Sequence, residues 1–462
     1  MNPEIILSGR GKQLLIFNNY KYGFQKILKS GEKRWTCTNR KCKSFVLTLG
    51  ECVESLTITK HIQQHSHDAV VQKLNRQIVN SACKRKAVED LSEKPAKVIR
   101  RVLQENLPST FTTDDIACVR RNMYNARRKI QPSLPKNIEE VFDFLDEANI
   151  QTSRGEQFLL YNNRSEHIVI FSCKSNIQIL KKVTQIYLDG TLNYCPQFFG
   201  QFFTLHGYCN GHYIPLIFSL LPNKRSDTYR NLFKSIINIC KHNGVTLKIS
   251  KIVIDFEKGI HKAVEQIFPL AQIIGCRFHL AQSWFKKIQE YGLIAEYKNE
   301  NSEVGRWLRM TFGLTFLSPH DVSECFVFDL LAIAPIDEKI QKYSDYLTDN
   351  YIREESLFPP SLWAENSAEL TRTTSACEAF HKHFNAPFYK AHPNILIFLE
   401  KLKEFQIETY VKLQSINIPA QIHNSKVKNR QKFIAKMIES YCRNKTSRLH
   451  FIKCVYFLFF LS

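Results

Sequence analysis

The stretch VTQIYLDGTLNYCPQFFGQFFTLHGYCNGHYIPLIFSLLP, residues 183–222, contains three apolar runs separated by more polar turns. The runs at 183–189, 198–208 and 212–221 are short and rich in Phe, Ile, Leu and Tyr, a composition typical of buried strands. The first run ends on Asp189, which places a carboxylate at the end of a buried strand. Such a residue either caps the following turn or serves as a ligand.

Helices and strands alternate after this stretch. Apolar periodicity predicts helices at 227–242, 258–267 and 280–291, and short apolar runs predict strands at 248–255 and 271–276. The complete order is β-β-β-α-β-α-β-α. This order predicts an α/β fold in which helices pack on a mixed sheet.

A second carboxylate, Asp255, ends the apolar run KISKIVID in the same way that Asp189 ends the first strand. If the two strands are neighbours, their acidic side chains converge at the edge where sheets of this type place their sites. Mg²⁺ and Mn²⁺ prefer oxygen ligands, and a pair of such ions promotes phosphoryl transfer. Turn capping is the simpler explanation for either Asp alone, whereas the two together favour a metal site.

A third acidic ligand is expected on a later helix, and Glu378 in RTTSACEAFHKHFN is the candidate. The alternative is structural, because Ser375 and Glu378 have the spacing of a capping box, which would make Glu378 a helix-start residue. The pattern alone leaves both interpretations open.

Cys276 and His279 form a C-x-x-H motif in GCRFHLAQ. Two ligands cannot complete a tetrahedral Zn²⁺ site. The pair is therefore a buried thiol beside a helix-start histidine, half of a metal site, or a histidine that contacts DNA or the carboxylates.

The N-terminal residues predict a small β module that binds Zn²⁺. Cys37 and Cys42 form one ligand pair, and His65 and His67 in HIQQHSHD form the other, with His61 as a competing ligand. Two thiolates and two imidazoles satisfy tetrahedral Zn²⁺, and the metal compensates for a core that is too small to fold alone.

We divide the chain into a zinc module at 1–75, a basic linker and helical arm at 76–154, an α/β domain at 155–400 and a basic segment at 401–462. The α/β domain contains a helical insertion at about 295–370. The last segment has 12 Lys and Arg against 3 Glu. It ends in CVYFLFFLS, which is either a buried strand or an artefact of how the gene was read.

Two stretches of the arm are basic. The polar residues 83–101 are expected to be a linker that leads to a helix, and Lys84-Arg85-Lys86 within them is either a nuclear-import signal or a solvated charged face. Residues 112–130 are predicted to be helical, with paired arginines on a polar face.

Composition narrows the class of partner. The formal net charge is +21, from 64 Lys and Arg against 43 Asp and Glu, which favours nucleic acid first and an anionic membrane surface second. No apolar run reaches the roughly 20 residues that span a bilayer, so no membrane partner is expected. Fourteen Cys without a secretory signal indicate reduced thiols, and we expect a nuclear protein.

The same residues resemble two known families. Residues 7–67 resemble the FLYWCH-type zinc finger, through LLIFNNYKYGF, RWTC, Cys42 and the histidines at 65 and 67. Residues 184–282 resemble the MULE transposase domain of the Mutator superfamily of DDE transposases, through DGTLNYCPQFFGQFFTLHG, DFEKGIHKAVEQIFP and GCRFHLAQSWFKKIQEYGL. That resemblance continues through RTTSACEAFHKHFN to about residue 400.

The resemblance implies an RNase H-like fold, with a helical insertion between the second Asp and the Glu. It assigns Asp189, Asp255 and Glu378 to a triad that binds Mg²⁺ or Mn²⁺, and it matches Cys276 and His279 to the family's C-x-x-H element. It also implies that the N-terminal Cys and His residues bind Zn²⁺ and that the module contacts DNA or protein. RTTS stands where many relatives have RTNN, so substrate contacts there differ.

Two functions from different classes remain open at this stage. The first is an active DNA transposase, and the second is a domesticated zinc-finger DNA-binding protein or regulator without turnover. A ribonuclease on the same fold fits the triad but does not explain the zinc module or the insertion. Whether the protein forms a homo-oligomer is also open.

Overall fold

A computed structural model describes the chain from residue 3 to residue 456, apart from a few short segments. These segments are residues 9–11, 51–55, 63, 70, 92, 106, 131–132, 370, 372–373, 389 and 421–424. The chain divides into two compact units, Met1–Leu134 and Pro135–Ser462.

The first unit begins with an antiparallel sheet in which each strand pairs with the next along the chain. Its strands are β1 (Glu4–Leu7), β2 (Gln13–Phe17), β3 (Tyr20–Ile27), β4 (Lys33–Cys37), β5 (Phe45–Leu49) and β6 (Thr57–His61). A small core contains the buried side chains of Leu15, Tyr22, Trp35 and Val46. The predicted β-rich module is therefore confirmed.

Three helices complete the first unit: α1 (Val71–Glu89), α2 (Pro95–Glu105) and α3 (Thr113–Ile130). The expected linker at 83–101 is instead helical over most of its length. Cys83, Ala87, Val98 and Ile99 are buried in the core that the three helices share. This apolar stripe is narrow and lies among charged residues, which explains why the composition alone indicated a linker.

The second unit contains a mixed sheet with helices on both faces. Its first elements are α4 (Ile138–Glu147), β7 (Leu159–Asn163), β8 (Ile168–Phe171), α5 (Lys174–Ile179), β9 (Gln185–Thr191), β10 (Gln201–Cys209), β11 (His212–Leu221), α6 (Ser226–His242), β12 (Lys251–Ile254), α7 (Lys258–Ile267), β13 (Gln272–Gly275) and α8 (Arg277–Glu290). The strand order is β13-β12-β9-β10-β11-β8-β7. β9, β10 and β11 are antiparallel neighbours, whereas β12 is parallel to β9 and β13. The predicted mixed sheet is confirmed.

A helical region follows the sheet, as predicted for the insertion. It contains α9 (Ile294–Lys298), α10 (Glu303–Thr311), α11 (Pro319–Glu324), α12 (Glu338–Leu347) and α13 (Pro360–Trp363), with π-helical turns at Cys325–Leu330 and Thr348–Ile352. Large aromatic side chains fill its core, among them Trp284, Trp307, Tyr343 and Trp363. The chain then returns to the sheet.

The last helices are α14 (Ser375–Asn385), α15 (Ile395–Ser415), α16 (Ser425–Cys442) and α17 (Arg448–Val455). They belong to the cores of the second unit rather than to a separate basic segment. Phe398, Leu402 and Phe405 of α15 pack against the sheet, and Phe451 and Ile452 of α17 pack in the helical region. Most of the apolar C-terminal tail, residues 457–462, lies outside the described residues.

The two faces of the sheet bury different side chains, because successive residues of a strand point to opposite sides. Ile186 and Leu188 of β9 pack in the core that contains α6 and α7. Tyr187 points to the other face, where it clusters with Val253 of β12 and Cys377 of α14. Helix α14 therefore covers the face on which the odd-numbered residues of β9 and β12 lie.

No helix in the described part of the chain is both long and apolar enough to cross a membrane.

Because α15 supplies core side chains, we predict that Leu402→Ala destabilises the second unit by about 2–5 kcal/mol, the usual range for removing a buried leucine side chain. Leu402 is fully buried, whereas Val411 on the same helix is exposed. Val411→Ala is the matched control, and we expect it to change the stability by less than about 0.5 kcal/mol. Urea unfolding of the two variants measures the difference. Equal midpoints would contradict the packing of α15.

Candidate metal centres and active site

A cluster of two thiols and two imidazoles lies at one end of the N-terminal sheet. Ligand atoms of Cys37, Cys42, His65 and His67 all lie within 4.8 Å of one another. Cys37 ends β4 and Cys42 lies in the connection to β5, where its N–H donates to the carbonyl of Asn39 (2.9 Å). The two histidines follow β6. The four predicted Zn²⁺ ligands are therefore brought together.

Hydrogen bonds select the nitrogen that each imidazole presents. Nδ1 of His67 lies 2.9 Å from the Asp68 carbonyl, which accepts only from a protonated nitrogen, so Nε2 is left to face Cys37 Sγ at 3.2 Å. Nδ1 of His65 faces Cys42 Sγ at 3.3 Å. Neighbouring ligands of a tetrahedral Zn²⁺ lie about 3.5 Å apart. The donor set and its spacing fit this ion.

Tyr22 holds the outer side of His65. Its hydroxyl lies 2.9 Å from Nε2 of His65 and 2.9 Å from Nε2 of His61. Because Nδ1 of His65 faces the thiol, its Nε2–H donates to Tyr22, and Tyr22 donates to His61. His61 lies outside the four-ligand cluster, so the structure does not support it as a competing ligand.

Cys42 is the more acidic of the two thiols. Burial raises its pKa, but the backbone N–H groups of Ser44 and Ser66 and the thiol of Cys37 outweigh burial and lower the pKa to about 7. A thiolate, the form that binds Zn²⁺, is therefore readily available at this position.

The second cluster forms where β9 and β12 run side by side. Their parallel register pairs Val253 with Tyr187, so Asp255, directly after β12, is level with Asp189 of β9. Both carboxylates point to the face covered by α14, because each lies two residues beyond a side chain that packs there. The two Asp residues predicted to converge are neighbours across this strand pair.

Asp189 is buried. Its Oδ1 accepts a hydrogen bond from Gly190 N–H (2.9 Å), and its Oδ2 lies 3.6 Å from Nε2 of His381. Burial, with a smaller contribution from the carboxylates of Glu378 and Asp255, raises the pKa of Asp189 to about 7. A positive charge near this carboxylate would restore its ionised form.

Glu378, on α14, belongs to the same cluster as Asp189 and Asp255. Thr374 precedes the helix without a side-chain cap, and Ser375 is its first residue, so the capping-box explanation for Glu378 is not supported. Glu378 instead points at His279, with Oε1 3.1 Å from Nε2. That oxygen is buried and forms no well-aligned hydrogen bond, so its contact with His279 is an ion pair rather than a directed hydrogen bond.

Cys276 and His279 are positioned by the start of α8. Nδ1 of His279 lies 3.7 Å from Oδ1 of Asp255, so the ring stands between two carboxylates. Burial lowers the pKa of His279, but contacts with Cys276, Glu378 and Asp255 outweigh it and raise the pKa to about 11. The sulfur of Cys276 accepts a hydrogen bond from the N–H of Thr374 (3.1 Å). Cys276 is thus a buried thiol beside a helix-start histidine, and that histidine also contacts the carboxylates, so two of the earlier alternatives for this pair are compatible with the structure.

Among the described residues, the Cys37 cluster is the only group of three or more Cys, His, Asp or Glu side chains with ligand atoms all within 4.8 Å. Cys276 and His279 therefore do not form half of such a tight site there. The three carboxylates are spaced more widely than zinc ligands around one ion.

Behind Asp189 lies a buried hydrogen-bonded chain that the sequence did not indicate. Thr204 Oγ1 donates to the Asp189 carbonyl (3.3 Å) and lies 3.0 Å from Nε2 of His381 and 3.2 Å from Nε2 of His206. Burial lowers the pKa of His381 to about 3, so the ring is neutral. His381 follows Glu378 by three residues, and this spacing on a helix was the signal that could have identified it.

An open cavity of about 630 Å³ gives access to this cluster. Its walls contain Asp189, His279 and Glu378, together with Thr191, Tyr194, Gln282, Lys382 and Asn385. The cavity places a cationic and several neutral polar groups around the carboxylates.

Residues 185–283 match the family model of the MULE transposase domain, and residues 5–67 match that of the FLYWCH zinc finger domain. The chain carries both domains. The first match contains Asp189, Asp255, Cys276 and His279, whereas Glu378 lies beyond it. No curated protein matches the chain. The two domains suggest a transposase-related DNA-binding protein, and the four-ligand cluster suggests structural zinc.

We predict that His65→Ala removes Zn²⁺ from the full-length protein whereas His61→Ala does not, because His65 belongs to the ligand cluster and His61 lies outside it, with its Nε2 bound to Tyr22. Zinc per chain, measured by elemental analysis after dialysis against a weak chelator, gives the comparison. Both variants replace a histidine by alanine, at positions four residues apart, so they differ only in whether the imidazole belongs to the ligand cluster. Equal retention or equal loss of zinc would contradict the assignment.

Proposed function

We propose that this chain is a DDE-type transposase, or a protein derived from one, whose second unit cuts and joins DNA strands by metal-dependent phosphoryl transfer. The observation that carries the proposal is the β9–β12 pairing, because it sets Asp189 and Asp255 side by side on the face where α14 supplies Glu378. These three carboxylates are the proposed catalytic residues.

We propose that the second unit is RNase H-like. The support is its topology: the antiparallel strands β11, β10 and β9 are followed across the sheet by the parallel strands β12 and β13. The proposed acidic residues come from β9, from the end of β12 and from a helix that returns after a helical region. Such a unit belongs with the Mutator superfamily.

The carboxylate cluster fits Mg²⁺ or Mn²⁺. The donors are oxygens, Asp189 is buried with a raised pKa, and Oε1 of Glu378 is a buried atom without a hydrogen bond. When bound, such ions supply Lewis-acid stabilisation of charge on the attacking and leaving oxygens. The wide spacing of the carboxylates is compatible with ligands that belong to two ions.

The other residues of the site have positioning roles. Thr204 binds the main-chain carbonyl of Asp189, and the neutral ring of His381 lies next to its carboxylate, so the two residues help to fix the position of Asp189. His279 contacts Glu378 and Asp255 and supplies positive charge between them. Lys382 and Asn385 line the cavity where a phosphate backbone would lie.

The zinc module is proposed to contact DNA, and the protein is proposed to act in the nucleus, where its substrate is. A net charge of +21 supports a polyanionic partner.

One observation favours a second candidate, a domesticated DNA-binding protein without turnover. His279 lies 3.1 Å from Glu378 and 3.7 Å from Asp255, so the carboxylates already have a cationic neighbour without a metal. In a protein that retained the fold for DNA binding alone, this histidine would offset part of the repulsion between the carboxylates.

We predict that Asp189→Asn leaves folding and DNA binding intact and lowers Mg²⁺- or Mn²⁺-dependent strand cleavage by at least about 10²-fold, because Asn keeps the shape but removes the charge. Asp255→Asn should act alike, and the double variant should be little worse than either single one. The assay is nicking of a plasmid that carries the genomic sequences flanking the coding region.

Glu265→Gln is the matched control, since it removes one negative charge from an exposed position on α7. It should cut like the wild type. If Asp189→Asn also cuts like the wild type, the triad is wrong. If the wild type folds and binds DNA but never cuts, the domesticated candidate replaces the transposase.

A further inference from the structure

The helices α1, α2 and α3 lie between the two matched domains and are assigned by neither. They form their own core in the first unit, around Val79, Val98, Val119 and Met123. Residues 71–130 carry 14 Lys and Arg against 6 Asp and Glu. This helical part is therefore a folded and strongly basic element that has no role in the function proposed above.

Four of the six acidic side chains in residues 71–130 form ion pairs with cations of α1 or α2. Asp114, which is exposed at the start of α3, forms no ion pair in the described part of the chain. Arg76 pairs with Asp115 (3.4 Å), Lys86 pairs with Glu105 (2.5 Å), and Arg101 pairs with Glu93. In the described part of the chain, Arg120, Arg121 and Arg128 form no ion pair. These three arginines of α3 therefore keep their positive charge available to a partner.

Helix α3 has two distinct faces. Asp115, Val119, Met123 and Arg127 are buried against α1 and α2. The opposite face is exposed and contains Ala117, Arg121, Tyr124 and Arg128, which recur at spacings of four, three and four residues. These spacings place the four side chains in one stripe along the helix. Arg120 and Asn125 flank the stripe and are exposed as well.

Both ends of α3 are fixed to the rest of the helical part by side-chain interactions. At the start, Asp115 accepts hydrogen bonds from the N–H and hydroxyl of Thr112 (both 3.1 Å), and it also pairs with Arg76. Near the end, the buried guanidinium of Arg127 donates to three backbone carbonyls in the last turn of α1 and the connection to α2, those of Ala87 (2.9 Å), Asp90 (2.9 Å) and Glu93 (2.7 Å). The exposed stripe is therefore presented on a helix that is fixed before any partner arrives, which lowers the entropic cost of binding.

We propose that α3 is a DNA-reading helix that lies in the major groove of duplex DNA. Its 18 residues give a length of about 27 Å, and a major groove admits a single α-helix. Arg121 and Arg128 match phosphates or guanine edges, Asn125 matches adenine, and the small Ala117 allows close approach. The inference rests on the proposed function in one respect, that the protein binds DNA.

The test uses the full-length zinc-loaded protein and a duplex library of random sequence. Arg121→Gln/Arg128→Gln should weaken binding about tenfold or more at physiological salt and lower the slope of log K against log salt by about 1.8, which is about 0.9 for each lost phosphate contact. Tyr124→Ala and Asn125→Ala should change the sequences selected from the library while leaving the salt slope nearly unchanged, because they remove base contacts rather than charge.

Lys94→Gln/Arg100→Gln is the matched control, since it removes two exposed cations from the same element but outside α3. It should change the affinity and the slope much less than the α3 pair does. All variants replace exposed side chains, and unchanged thermal unfolding confirms that they fold.

The outcomes separate the inference from the proposed function. If the wild type binds duplex DNA and the α3 variants bind and select as the wild type does, α3 does not read DNA, and the proposed function stands. Equal losses in the α3 pair and the control pair would also overturn the inference, because they would show diffuse attraction. A preference for duplex RNA would exclude DNA as the ligand. A wild type that binds no duplex would overturn both proposals.

Discussion

The parallel pairing of β9 with β12 is the constraint on which the candidate active site depends. It sets two strand ends at the same level, and the two-residue period of each strand then turns Asp189 and Asp255 to the same face. A shift of the register by one residue would point one carboxylate into the apolar core under α6 and α7. The buried side chains that precede each Asp, such as Tyr187 and Val253, fix the register and thereby the geometry of the site.

The sequence predicts those parts of the candidate site that are set by local features of β9 and β12, and misses those set by contacts between distant parts of the chain. The strand ends at Asp189 and Asp255 were readable, because apolar runs that stop on an acid are local features. The contact between His381 and Thr204 was not, because it joins α14 to β10 across 177 positions of the chain. Residues 83–101, which contain the end of α1 and part of α2, were predicted to be a linker, and residues 401–462 were predicted to be a basic segment. Composition records the charged residues of a helix and not which stripe is buried.

The two candidate metal centres place opposite demands on the chain. The N-terminal sheet has a small core, so bound zinc would supply much of its folding free energy, and Tyr22 holds one ligand in the required tautomer. The carboxylate cluster costs stability, because Asp189 is buried among like charges. The second unit tolerates that cost because both faces of its sheet and its helical region are filled with large apolar side chains.

Basic charge has to be distributed so that it attracts nucleic acid without disturbing these centres. In the helical part of the first unit, Arg127 satisfies its donors with backbone carbonyls, and Arg76 pairs with Asp115, so the cations that stabilise the fold already have internal partners. The arginines on the exposed face of α3 have no such partner among the described residues. A cation left without a structural partner retains its attraction for an external phosphate, since it has no internal interaction to break on binding. The division between paired and unpaired cations thus separates the groups that build this unit from those available to a ligand.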